Sequence, residues 1–250
     1  PKVVLLNGLF QRLESWDPVV PLLGGYTLLR YDMRGQGESE APEGPYTPKA
    51  HAQDLLALLQ ELGWEEASLV GLSNGGIVAL QAALMAPTRF RSLVLACTTP
   101  YLDPALKAKV GSWLHALKTG GTPLRLRVAL PWIYGAGFLN AHPELLTEEG
   151  LASLIAQAPD ERAQERLLLG FLSLEDLRPR LHSLALPALV LMRVWKGAGY
   201  HMVIYLAALQ TVPRELYEVA SEIGHPDAIL VRSAKMHDMV IPETVRAIAR

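Results

Sequence analysis

Ala67-Ser68-Leu69-Val70-Gly71-Leu72-Ser73-Asn74-Gly75-Gly76-Ile77-Val78-Ala79-Leu80 is the stretch on which the fold turns. Ala67–Leu72 is a short apolar run of the kind that forms a buried strand. Gly75 to Met85 reads as a helix. Ser73 stands between them, with glycine two residues before it and two after. A strand that passes so quickly into a helix needs a sharp turn. A Cβ at position 71 or 75 would collide with the neighbouring strand and helix. The turn lifts the Ser73 hydroxyl off the end of the strand, and the N–H groups that open the next helix point at it. G-x-S-x-G in this setting presents a reactive serine.

The same alternation continues on either side. Val3–Leu6 reads as a strand that ends at Asn7-Gly8, and Tyr26–Tyr31 as a second. Pro48 to Leu62 carries apolar residues at helical spacing (Leu55, Leu56, Leu58, Leu59, Leu62) and stops at Gly63. Ser92–Ala96 is a fourth strand. Strands alternating with helices predict an α/β fold, with a mostly parallel sheet and helices on both faces. From Tyr101 to Ser183 the strand signals vanish and helices take over, most clearly at Ala105–Leu117, Glu144–Ala158 and Asp160–Leu174. Pro187–Met192 resumes the sheet. His201–Ile223 reads as helix, Ala228–Arg232 as a last strand and Pro242–Arg250 as a last helix. The expected organisation is a core of residues 1–100 and 184–250 with a helical cap at 101–183.

Composition narrows the function. The chain has 250 residues, half of them hydrophobic, enough for one large domain or a domain with a lid. With a net charge of −2 and mixed signs throughout, it lacks the basic face of a nucleic-acid binder. No run approaches the ~18 apolar residues of a membrane span. Pro1 to Leu6 enters a strand pattern without a signal-peptide pattern. Cys97 is the single cysteine, so no internal disulfide can form. The expectation is a soluble, cytoplasmic protein without nucleic-acid or membrane partners. No cluster has metal-ligand spacing, so neither metal nor organic cofactor is expected.

Two further motifs accompany the serine. Asn7-Gly8-Leu9 ends the first strand, where the N–H of Leu9 could pair with that of Asn74 to hold a developing oxyanion. Asp32-Met33-Arg34-Gly35-Gln36-Gly37-Glu38-Ser39 follows the second strand. Asn-Gly, then D-x-R-G-x-G-x-S, then G-x-S-x-G-G at these intervals resembles the α/β-hydrolase superfamily, in particular its capped esterases, lactonases and C–C hydrolases. The resemblance covers residues 3 to 192. It implies that Asp32, Arg34 and Ser39 are structural and that Ser73 is the nucleophile. It also implies a small-molecule ester or acyl substrate in a pocket beneath the cap, with Trp113, Leu114, Trp132, Ile133, Tyr134, Phe138 and Phe171 as candidate lining. Asn7 is a departure, since the family usually has His-Gly there.

The resemblance breaks in the tail. The family's acid follows the strand at Leu189–Met192, but this chain reads Arg193-Val194-Trp195-Lys196-Gly197-Ala198-Gly199 there. Asp103, after the preceding strand, is a candidate acid or a helix cap, and Asp176 reads as a surface charge. Two histidines compete for the base that a reactive serine needs. His237 follows a strand and precedes a helix, whereas His225 stands in a Gly-His pair. The other histidines, His51 among them, read as surface or cap residues. Val194 to Glu218 is similar in short stretches to the coupling loop of sugar-type ABC transporter permeases. Pro226 to His237 is similar to a strand–loop of phosphoglycerate dehydrogenases. The reading is a composite chain, hydrolase to about Met192 and foreign or heavily diverged beyond. The expected activity is hydrolysis of a carboxylic ester or related acyl substrate through an acyl-enzyme on Ser73. Its rivals are a catalytically silent protein of the same fold, and an acyltransferase or perhydrolase on the same serine.

Overall fold

The computed structural model of the protein describes residues 1–44, 46–192 and 228–232. Among the described residues six strands form one sheet: β1 Lys2–Leu6, β2 Thr27–Arg30, β3 Ala67–Leu72, β4 Phe90–Ala96, β5 Ala188–Met192 and β6 Ala228–Arg232. Their order is β2-β1-β3-β4-β5-β6, and every neighbouring pair is parallel. From β1, inside the sheet, the path steps out to β2, then crosses back over β1 to β3. The reversal between β1 and β3 opens a crevice beyond the carboxyl ends of those strands, where folds of this kind bind ligands.

Alternation along the strands feeds two cores. Val4, Leu6, Leu69, Leu93 and Leu95 point to one face. There they meet α1 (Pro48–Glu61) and α2 (Asn74–Met85) through Leu55, Leu59, Val78, Ala79 and Ala82. Thr47 caps α1 by accepting the N–H of Ala50 at 3.1 Å, with Pro48 as the first helical residue. Val3, Leu5 and Val70 point to the other face. Among the described residues, Trp16 and Val19 cover it, from the 3₁₀ turn Leu13–Trp16 and the start of a second at Val20–Leu22.

Between β4 and β5 the chain is helical: α3 Pro104–Ile133, α4 Ala136–Ala141, α5 Glu148–Ala156 and α6 Glu161–Leu172. One expectation holds and one is corrected. The helix read at Ala105–Leu117 lies in the first of two rods of α3, which part where Gly120 and Gly121 leave helical geometry. Gly121 has φ +65°, a left-handed conformation that a side chain would strain. The helix read at Glu144–Ala158 is a 3₁₀ turn, Pro143–Leu146, followed by α5. Thr147 caps α5 by accepting the N–H of Gly150.

The helical segment is keyed to the sheet half. Val110, Trp113, Leu117, Ala129, Leu168 and Phe171 share a buried cluster with Ile77 of α2. α6 lies so close to the loop after β2 that a Cβ on Gly170 would fall 2.0 Å from the Tyr46 carbonyl oxygen. Arg166 donates to the Pro42 carbonyl from the same helix at 2.9 Å. No helix among the described residues is long and apolar enough to cross a membrane.

Candidate active site

Ser73 occupies a backbone conformation that an L-residue adopts only under constraint, φ +53° and ψ −117°. Its surroundings impose it. The Ser73 N–H donates to the Ala96 carbonyl at the end of β4, at 2.8 Å. The Ser73 carbonyl accepts the Thr98 hydroxyl at 2.7 Å, and also the N–H of Gly76 and Ile77. The flanking glycines are required sterically. A Cβ on Gly71 would lie 2.5 Å from the Gly75 carbonyl oxygen, and one on Gly75 would lie 2.2 Å from that of Leu6. Gly76 is equally confined, with the Thr98 side chain 2.7 Å from a would-be Cβ. Asn74 opens α2, so its N–H belongs to the first turn, whose N–H groups have no carbonyl four residues back. Thr98 was not singled out in the sequence, although its place just past β4 is the signal that could have marked it.

The loop after β1 abuts this turn. A Cβ on Gly8 would stand 3.4 Å from the Ser73 Cβ. The loop is held by its own Gln11, whose side-chain oxygen accepts the Gly8 N–H at 2.8 Å. Phe10 follows with φ +63°. Asn7, in place of the family's histidine, is fully buried, and its carboxamide has no hydrogen-bond partner among the described residues. Leu9 and Ser73 line the same cavity, and Asn74 follows the serine as the first residue of α2.

The D-x-R-G-x-G-x-S stretch is structural, as the resemblance implied. Asp32 Oδ1 accepts the Leu13 N–H at 2.7 Å and Oδ2 accepts that of Glu38 at 3.1 Å, so one buried carboxylate ties two loops. A Cβ on Gly37 would strike that carboxylate at 2.0 Å. The Ser39 hydroxyl donates to the Asp32 carbonyl, and Arg34 makes a two-pronged pair with Asp54 of α1.

Asp103 and Asp176 have structural partners of their own. Asp103 is exposed and caps α3, accepting the Leu106 N–H at 2.8 Å, so the helix-capping alternative is the one realised. Asp176 is paired with Arg178 at the surface. His51, expected at the surface or in the cap, is a correction. It is buried in α1, neither ring nitrogen has a partner among the described residues, and its tilted ring lies 6.3 Å from that of Tyr46. Burial above all pushes its pKa down to about 4. His225, His237 and Arg193–Gly199 lie outside the described residues, as do the tail helices and most of the two tail resemblances; Ala228–Arg232 is the strand that was read there.

A cavity of about 1090 Å³ opens over Ser73. Its wall includes Leu9 and Phe10 from the loop after β1, Cys97 and Thr98 after β4, and Trp113, Ile133, Tyr134 and Phe171 from the helical segment. Leu114, Trp132 and Phe138 do not line it. Leu114 packs into the helical cluster, Trp132 is half exposed beneath Lys109, and Phe138 stacks on Tyr134 at 4.8 Å. Glu14 is a carboxylate on the wall, and Arg12 pairs with it at 3.4 Å.

Known proteins share both the sequence and the arrangement. The α/β hydrolase fold family matches residues 1–190, and the chain belongs to it. A 3-oxoadipate enol-lactonase of Acinetobacter baylyi is 29% identical over 192 residues, which is 76% of this chain and 70% of that protein. An esterase of Mycobacterium tuberculosis is 38% identical over 101 residues, 40% of this chain but only 34% of the esterase. The crystal structure of an α/β hydrolase enzyme from a Medee basin deep-sea metagenome library superposes with a TM-score of 0.73 at 25% identity. It covers 99% of this chain and 87% of that one.

Proposed function

We propose that the protein is a serine hydrolase that cleaves a carboxylic ester, a lactone or a related acyl substrate through an acyl-enzyme on Ser73. The observation that carries this is the placement of Ser73. It sits on a left-handed turn at the N-terminus of α2, at the wall of a large cavity lined mainly by apolar side chains. Relatives whose names are lactonase and esterase support the same class. A cytoplasmic setting suits a chain whose one cysteine cannot form an internal disulfide.

Ser73 Oγ attacks the acyl carbon as a histidine takes its proton. His237 is our first assignment for that base and His225 the second. The carbonyl oxygen gains negative charge and is held by the N–H groups of Asn74 and Leu9, reinforced by the N-terminus of α2. The same histidine returns the proton to the leaving alkoxide. Water, deprotonated in its turn, then releases the acid from Ser73. The helices of residues 101–183 act as a cap that shapes the acyl pocket and excludes bulk water.

Buried Asn7, in place of the family's histidine, favours a second reading: a silent protein of hydrolase fold. One experiment separates the two. A fluorophosphonate probe should label the wild-type chain and leave Ser73→Ala unlabelled. A folded wild-type chain that takes no label would sink the hydrolase reading and leave the silent one.

A further inference from the structure

The cavity beside Ser73 carries a charge that ester hydrolysis does not use. Arg125, in the second rod of α3, lines the wall and is only 2% exposed. It occupies a stripe of buried positions, with Thr122, Leu126, Ala129 and Leu130, where helical spacing would otherwise place an apolar residue. A cation in such a place is costly unless something answers its charge.

The protein orients Arg125 without neutralising it. Its guanidinium lies over the Phe10 ring, 4.3 Å from the ring centre. Its Nε donates to the side-chain oxygen of Gln164 at 2.6 Å. Gln164 is itself fixed and fully buried. Its amide nitrogen donates to the Thr122 hydroxyl at 2.8 Å and to the Pro159 carbonyl at 2.6 Å, so its oxygen must face the arginine. Glu161 holds Thr122 in turn, accepting its N–H at 2.7 Å. Among the described residues no carboxylate forms an ion pair with Arg125. Burial lowers its pKa to about 10, which leaves it charged at neutral pH. The other basic side chains on the wall are placed differently. Arg12 is paired with Glu14 and Glu38, and Lys109 lies over Trp132.

We propose that Arg125 is the subsite for a carboxylate carried by the substrate away from the bond that Ser73 cleaves. The substrate is then an ester or lactone of an acid that bears a second, free carboxylate. With Nε committed to Gln164, the outer edge of the guanidinium can meet that carboxylate in the fork geometry that arginine favours. Phe10 links the two halves of the site, since it follows Leu9 in the loop beside Ser73 and lies under the guanidinium.

The catalytic part of this inference rests on the hydrolase reading, but the binding part does not, and the test uses both. Rates are measured at pH 7 for mono-p-nitrophenyl esters of succinate, glutarate and adipate. They are compared with p-nitrophenyl esters of uncharged acids of equal chain length. The acidic ester should be favoured in kcat/KM by about 10- to 100-fold at one chain length, mainly through KM. That ratio should fall towards one in Arg125→Met and recover partly in Arg125→Lys. A ratio near one in the wild type, or an unchanged ratio in folded Arg125→Met, overturns the proposal. If neither kind of ester is cleaved, the hydrolase reading fails, and calorimetric titration decides the subsite alone. Saturable binding of one of the three dicarboxylates, with none of its diamide, supports it. No binding by the wild type overturns it. Should Arg125→Met fail to fold, the wild-type ratio and Arg125→Lys carry the decision.

Discussion

The turn at Ser73 and the wall at Arg125 border one cavity, yet they are built in opposite ways. The turn is local. Gly71, Ser73 and Gly75 lie within five residues, and their spacing follows from how closely β3, α2 and β1 approach. The wall is assembled from a distance. Arg125 meets Gln164 across 39 residues, and Phe10 reaches it from the far end of the chain. Steric rules acting over a few residues leave a motif in the sequence. A polar pair joined by folding leaves two ordinary residues on two helices.

The strongest way to break this contrast is at the serine. Ser73→Ala should lower kcat by ~10⁶, because the rest of a serine–histidine apparatus contributes little without its nucleophile. Ester turnover measured after long incubation is the check, and a loss of less than tenfold would place the nucleophile elsewhere.

Glycine substitutions sharpen the comparison between the halves. Gly75→Ala puts a methyl group against the Leu6 carbonyl and should cost about 3 kcal/mol or more. Thermal unfolding should fall by about 6–12 °C. Gly111→Ala, in the first rod of α3, meets nothing within 4 Å and should gain up to about 1 kcal/mol from helix propensity. Equal effects at the two sites would show that the turn is looser than the structure has it.

His51 offers a pH test of the sheet half. Its folded pKa of about 4 lies below the ordinary histidine value of 6.5, so the unfolded chain binds the proton more readily. This residue therefore leaves stability intact above pH 6.5 and erodes it as the pH falls towards 4. Between pH 7 and pH 5 the loss is about 2 kcal/mol. Urea unfolding at both pH values should show that loss in the wild type and a smaller one in His51→Leu. Identical pH slopes would mean that His51 is solvated or paired.

The smallest effect concerns Asp103. Asp103→Ala should cost about 1 kcal/mol through the lost cap, and Asp103→Asn almost nothing. Both should keep kcat within about twofold, since capping, not catalysis, is the role its geometry supports. A thousandfold fall in kcat in Asp103→Asn would instead make it the catalytic acid.

The strands were legible wherever apolar runs end in turn residues. Ala67–Leu72 is β3 residue for residue, and the helix read from Gly75 begins one residue earlier, at Asn74. The helical half was less so. The second rod of α3 was not among the helices read, because Pro123 near its start and Pro131 within it weaken a helical pattern that packing nonetheless sustains. His51 was misread for a related reason. Alone on an amphipathic helix, a histidine fits a boundary position, and only the packing of Tyr46 and α1 removes it from water.

The sequence by itself determined the parallel α/β sheet and the glycine-framed turn at Ser73. Each follows from contacts among residues near in the chain or from the period of the apolar pattern. Only the tertiary structure decided that the loop at Gly8 abuts Ser73, that Asp103 caps α3, and that Arg125 borders the cavity without a carboxylate partner among the described residues. Those facts depend on which distant surfaces come together and exclude water, and the spacing of residues along one chain does not encode that directly.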